Sequence, residues 1–328
     1  MLESLMLWNE PNNLSHWNFH LDPEWRQFSA LTIAAAQAVR RVSPGLPLVL
    51  GGISPIDPKF LQLLARQGVL SAVDRVALHG FPLDWNHWPI HEWPQRLAEA
   101  EAVAGEGVWV SEAGASSFGA EEVQRFGLAT TARLLCGRAE RVYWYSLFDL
   151  PAAWEATTRH RESEGSAYYR HYYMGLIRAD GTPKPALQDF PAELGICQWF
   201  HFEDPRLEDA ASWLRRLGVR RLRTGLSWAD WYRPGAVAWF DRQMKALQEF
   251  EVNVTLCYTP AHLGTEPHYA APPRPEAQAE FARFAGWVAQ RYGTGTREAG
   301  DVAAQVARPS LAGARAHGVA ELPRREAA

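Results

Sequence analysis

Leu5-Met6-Leu7-Trp8-Asn9-Glu10-Pro11-Asn12-Asn13 runs four apolar residues into a carboxylate and then into turn-forming residues; Val108-Trp109-Val110-Ser111-Glu112-Ala113-Gly114 repeats the arrangement. Each stretch reads as a short buried strand with a glutamate at or just past its C-terminal end. Working outward, six further β-rich runs take the same form: Leu48–Gly51, Val76–His79, Val142–Tyr145, Ile196–Phe200, Arg220–Arg223 and Val252–Leu256. Apolar residues at three- and four-residue spacing lie between them, as in Phe60, Leu61, Leu63 and Leu64, or Phe281, Phe284, Trp287 and Val288. That spacing predicts helices.

Strands alternating with helices imply parallel βαβ units, and eight of them imply a closed (β/α)8 TIM barrel rather than an open sheet. The pair Gly51-Gly52 lacks the third glycine and the spacing of a nucleotide-binding turn. Residues 1–293 are read as one barrel domain, with a long strand-to-helix connection from Asp149 to Glu193. Residues 294–328 carry no sustained apolar periodicity and are expected to form a poorly ordered tail.

The 328 residues, 47% hydrophobic and 21% charged, suit an ordinary soluble core. A net charge of −4 offers no basic excess for a nucleic acid or an anionic membrane surface, so neither partner is expected. Three cysteines, Cys136, Cys197 and Cys257, in apolar contexts read as reduced thiols. With an N-terminus that resembles neither a signal peptide nor a membrane span, they point to the cytoplasm. Fifteen tryptophans would serve a core, yet flat rings with a polar edge also suit sugar faces.

In parallel barrels the C-terminal strand ends display the catalytic groups, so Glu10 and Glu112, three βα units apart, are expected to face one another across the mouth. Opposed carboxylates are what acid-assisted glycoside cleavage requires, one protonated and the other ionised. Taken singly, Asn-Glu-Pro-Asn-Asn is also good turn chemistry and Glu-Ala-Gly could be a solvated strand end. His16 with His20, and His87 with His91, have a spacing that could bind zinc on a helix, but they lie among Trp and Pro, and aromatic loop packing is the favoured reading. No metal and no cofactor is expected. His201, Glu203 and Asp204 read as a solvated loop that could also reach the cleft.

Trp8-Asn9-Glu10-Pro11 and Ser111-Glu112-Ala113-Gly114 resemble the acid/base and nucleophile motifs of the large retaining clan of (β/α)8 glycoside hydrolases, in the neighbourhood of β-xylosidase-like and cellulase-like families. His79-Gly80-Phe81-Pro82, Tyr143-Trp144-Tyr145-Ser146 and the segment Gly175 to Pro185 resemble later strand ends and the closing segment of that clan. The resemblance implies a retaining glycosidase acting on an oligosaccharide or glycoside, with Glu10 as proton donor and Glu112 as nucleophile. It further implies that Asn9 binds the sugar 2-hydroxyl, that Arg223 and His79 hold the nucleophile ionised and oriented, that Trp144 floors the sugar site, and that Tyr258 ends a strand beside it. In the clan the two glutamate motifs close strands four and seven, whereas this chain begins in the first of them. The expected order is therefore circularly permuted, with residues 1–194 supplying family strands 4-5-6-7-8 and residues 195–293 strands 1-2-3. The alternative is an inactive or carbohydrate-binding barrel left by gene rearrangement. Sugar, linkage and oligomeric state stay open.

Overall fold

Eight strands, β1 Leu2–Leu7, β2 Leu48–Ile53, β3 Arg75–Gly80, β4 Trp109–Ala113, β5 Arg141–Tyr145, β6 Gly195–Cys197, β7 Arg221–Ser227 and β8 Glu251–Cys257, pair in parallel and in sequence order to close a barrel. They are seen in a computed structural model that describes residues 2–152 and 167–293. Leu5 pairs with Leu48 on one side and Val254 on the other, and Trp144 pairs with Ile196, so the expected neighbours of the first and fifth strands are found. Two bounds depart from the sequence reading. β6 stops at Cys197; Gln198 still donates its amide to the Arg223 carbonyl at 2.9 Å, and its side chain accepts from the Phe148 amide at 3.0 Å. β7 runs on to Ser227 through Gly225, where a Cβ would collide with the Trp199 ring.

Helices α1 Arg26–Val42, α2 Pro58–Arg66, α3 Val69–Ala72, α4 Trp93–Ala104, α5 Glu121–Leu135, α6 Ala167–His171, α7 Leu207–Arg216, α8 Ala236–Ala246 and α9 Gln278–Tyr292 surround the strands. α9 lies against α1, with Gly286 beside Ala38, so the outer ring closes where the sheet does. Between β5 and β6 the only described α-helix is the five-residue α6. The expected tail, 294–328, lies outside the described residues. Among the described residues no helix is long and apolar enough to cross a membrane.

Alternate residues of each strand face opposite ways, which divides the core in two. Leu5, Leu7, Leu48, Val110, Val142, Trp144 and Leu222 pack outward against helices, while Met6, Val49, Ala77, Trp109, Tyr143 and Cys197 fill the barrel. The alternation breaks in β4. Val110 pairs with Leu78 and Glu112 with the next residue, His79; on the other side Val110 pairs with Val142 but Ala113 with Trp144. β4 therefore carries one extra residue, and a bulge of this kind re-aims side chains. Ser111 and Glu112 both face His79 as a result.

A second irregularity supports the first. Between the pairs Leu50–Val76 and Ile53–Leu78, β2 also has one residue too many, at Gly51-Gly52. A Cβ on Gly51 would lie 1.8 Å from the Trp8 carbonyl oxygen, and one on Gly52, whose φ is +28°, would lie 2.0 Å from His79 Nε2. Gly51 thus lets the Trp8 carbonyl, and Gly52 the His79 imidazole, approach bare backbone.

Candidate active site

Past the end of β1 the chain takes left-handed backbone at Trp8 (φ 69°) and again at Glu10 (φ 43°). Such φ values are costly for non-glycine residues and persist where surrounding contacts impose them. Here the contacts are an amide hydrogen bond from Asn13 to the Glu10 carbonyl at 2.9 Å, and another from the Trp8 indole to the His16 carbonyl at 3.0 Å. Glu10 is 7% exposed and Glu112 9%, so both carboxylates are largely withdrawn from water and need partners.

Those partners come from β7, from β3 and from the loop after β1. Arg223 of β7 donates from Nη1 to Glu112 Oε1 and from Nη2 to Asn9 Oδ1 at 2.6 Å. His79 of β3 places Nδ1 2.8 Å from Glu10 Oε1 and 3.6 Å from Glu112 Oε2, and its Nε2 2.8 Å from Ser111 Oγ. The other Glu10 oxygen accepts from Asn13 Nδ2 at 2.8 Å and has His16 Nδ1 at 3.2 Å. Burial pushes the Glu10 carboxyl up, but the contacts and charges of His16 and His79 outweigh it and hold the group well below the usual carboxylate range.

Glu10, Glu112, Asn9, His79 and Arg223 therefore converge. His79 departs from its expected part in one respect: it lies closer to Glu10 than to Glu112, because the β4 bulge turns Ser111 to its far nitrogen. Tyr258 has left-handed backbone (φ 74°) just beyond β8 and joins an aromatic wall with Trp199 and Tyr269, each at 5.2 Å, and with His16.

Trp144 corrects the sequence reading. It is 0% exposed and faces α5, with its ring 3.8 Å from the Cβ position of Gly127, so it cannot floor a sugar site. Strand alternation is the reason: Tyr143 and Tyr145 take the inward places of β5 and leave Trp144 outward. Tyr145 stands at the mouth instead, its hydroxyl 2.8 Å from His171 Nε2. Burial pushes that hydroxyl up and the Glu112 charge adds to the effect, while burial pushes the His171 imidazole down to about 4. The period-two pattern of Tyr143-Trp144-Tyr145 held this signal.

A cleft of about 50 Å³ runs from Tyr145 and His171 to Trp199 and His201, so His201 does reach the mouth, while Glu203 is exposed and Asp204 turns to Arg206 at 2.8 Å. His16 was readable only as one of a spaced pair, and that pair does not act together: His16 faces Glu10, whereas exposed His20 lies against Phe19. A larger cavity of about 540 Å³ opens at the opposite, N-terminal end of the strands. It is lined by the ion pairs Arg141–Glu3, Arg75–Glu140 and Arg40–Asp74 and holds none of the groups named above.

No protein-family model and no curated protein matches the chain. A solved structure of XacCel5A is similar at 12% identity, covering 74% of this chain and 85% of that one, with a TM-score of 0.33.

Ligating atoms of Glu10, His79 and Glu112 lie within 4.8 Å of one another, a spacing that a metal ion could also use. Arg223 competes for that role: a guanidinium on Glu112 is a permanent positive charge that repels a cation at the same oxygens.

Proposed function

We propose that this chain is a retaining glycoside hydrolase in which Glu112 attacks the anomeric carbon and Glu10 serves as acid and then as base. The observation that carries the reading is the carboxylate pair itself, whose oxygens approach within 4.8 Å at the C-terminal mouth of the barrel. Retaining enzymes keep their carboxyl groups about 5 to 5.5 Å apart, whereas inverting enzymes need about 6.5 to 9.5 Å to admit a water. Arg223 donates to Glu112 and aims it, as a nucleophile requires. It also occupies Asn9 Oδ1, which leaves the Asn9 amide nitrogen as the group that would donate to a sugar hydroxyl. Tyr145, Trp199 and Tyr258 would supply the apolar faces on which a pyranose stacks.

Circular permutation belongs to the same proposal. Closure of β1 on β8 would occur in any such barrel, so support for the permutation comes from where the motifs fall: the acid/base motif follows the first strand, while Arg223 and Tyr258 arrive from the seventh and eighth. Residues 1–293 would form one catalytic unit.

A second reading, a barrel that binds carbohydrate without cleaving it, draws on the resting state of Glu10, which is held ionised although a proton donor must be neutral. Aryl β-xylosides and β-glucosides, assayed with Glu112→Gln beside the wild type, separate the two. Turnover with retained anomeric configuration, abolished in the variant, supports the hydrolase; calorimetric binding without turnover supports the second reading.

A further inference from the structure

His16 is buried to 7% exposure in the loop after β1. Its backbone is fixed from several directions. The His16 and Trp17 amides donate to the Asn13 carbonyl at 2.9 Å, the Ser15 amide to Asn13 Oδ1 at 2.9 Å, and the Trp8 indole to the His16 carbonyl. Trp17, 0% exposed, is wedged against Trp8 and Phe28 at 5.2 and 5.3 Å. The imidazole itself lies nearly parallel to Tyr258, at 22° and 6.1 Å.

So held, Nδ1 stands 3.2 Å from Glu10 Oε2, an ion-pair contact without aligned hydrogen-bond geometry, and among the described residues no other acceptor satisfies that nitrogen. A buried ring nitrogen left in this state is costly unless the carboxylate uses it. The groups around it are Glu10 on its own loop, His79 of β3 behind Glu10, Tyr258 and Tyr269 after β8, and more distantly Glu112, Arg223 and His171.

We infer that His16 is a second positioning residue for the acid/base: it grips the Glu10 oxygen that His79 does not, and between turnovers it keeps the proton that Glu10 delivers. The inference rests on the hydrolase reading. As Glu112 forms its bond to the anomeric carbon, the glycosidic C–O bond breaks and its electron pair stays on the leaving oxygen. That oxygen takes a proton from Glu10, and His16 restores it from Nδ1. In the second half a water loses its proton to Glu10 and thence to His16 while its oxygen displaces Glu112. Proton and electron pair both balance, and a carboxyl that rests ionised can still act as an acid, because the proton waits one short transfer away.

The experiment follows the Glu10 side-chain carbon by NMR in protein labelled at the glutamate carboxyls, in wild type, H16F and H16Q, beside a series of aryl glycosides of falling leaving-group ability. The Glu10 titration midpoint is expected to rise in H16F by about one pH unit or more, since a contact that holds it down is lost. Hydrolysis in both variants should fall at least about tenfold further for poor leaving groups than for dinitrophenolate, which departs without a proton. H16Q fills the same space and can donate from its amide, yet cannot carry the proton, so a loss in H16Q matching H16F assigns the effect to proton storage. A Glu10 midpoint indifferent to His16, or equal losses along the whole series, overturns the inference. Wild type that cleaves none of the glycosides overturns the hydrolase reading instead, a separate result.

Discussion

Arg223 and Asn9, 214 residues apart in the chain, are joined by a 2.6 Å hydrogen bond, and the same guanidinium grips Glu112. One planar fork thus sets the angle between the Glu112 carboxylate and the Asn9 amide beside Glu10. Lysine preserves the charge but not the fork. Arg223→Lys is expected to leave the far-UV spectrum unchanged and to lower kcat by about 10²-fold, the scale of a misplacement of about 1 Å. A variant within twofold of wild type would show that the fork does not aim the nucleophile.

Trp144 and its neighbour Tyr145 should separate stability from binding. Trp144→Ala empties a buried site against α5 and is expected to cost about 3 to 5 kcal/mol of unfolding free energy. Tyr145→Phe removes a hydroxyl bonded to His171 at the mouth and should raise KM with little change in the denaturant midpoint. Urea unfolding and Michaelis–Menten assays on both variants check the contrast; a KM change from Trp144→Ala in folded protein would return that ring to the sugar site.

Gly52 tests how the backbone shapes the site. Its φ of +28° and the 2.0 Å approach of its Cβ position to His79 Nε2 mean that Gly52→Ala must displace a buried imidazole. The expected loss is about 1 to 3 kcal/mol of stability, as for other overpacking. Activity should fall further than Gly45→Ala, where the added methyl meets nothing within 4 Å.

Much of this was legible in the sequence, and the exceptions share a cause. Strands buried on both faces announce themselves as apolar runs, so all eight could be located; Glu10 and Glu112 stood out because a carboxylate ends such a run. What a run cannot show is the direction of each side chain once the alternation slips. The extra residue in β4 turns Glu112 inward, and the one in β2 is visible only as a glycine pair whose purpose appears when His79 is beside it. His16 was hidden differently, since its role depends on a loop folded back by the Trp8 indole. Trp144 was misplaced although simple alternation within β5 would have put it outward.

Acid stability offers a test of the Glu10 cluster that needs no substrate. Burial raises the carboxyl, the two imidazoles lower it further than burial raises it, and the net folded value lies below the ordinary 4.5. A depressed carboxylate contributes stability that is complete above its unfolded pKa and is lost as the pH falls through the folded one. Wild type should therefore lose stability below about pH 4.5, beyond whatever the other carboxylates lose, while Glu10→Gln lacks this part of the slope. The difference in unfolding free energy between the two proteins is expected to shrink by more than about 1 kcal/mol from pH 5 to pH 3. Asp84 and Asp149, whose carboxyls burial raises, act in the opposite direction but equally in both proteins, so they cancel. Urea midpoints at pH 5, 4 and 3 measure the effect, and a difference that stays constant across that range would mean that His16 and His79 do not hold Glu10 ionised.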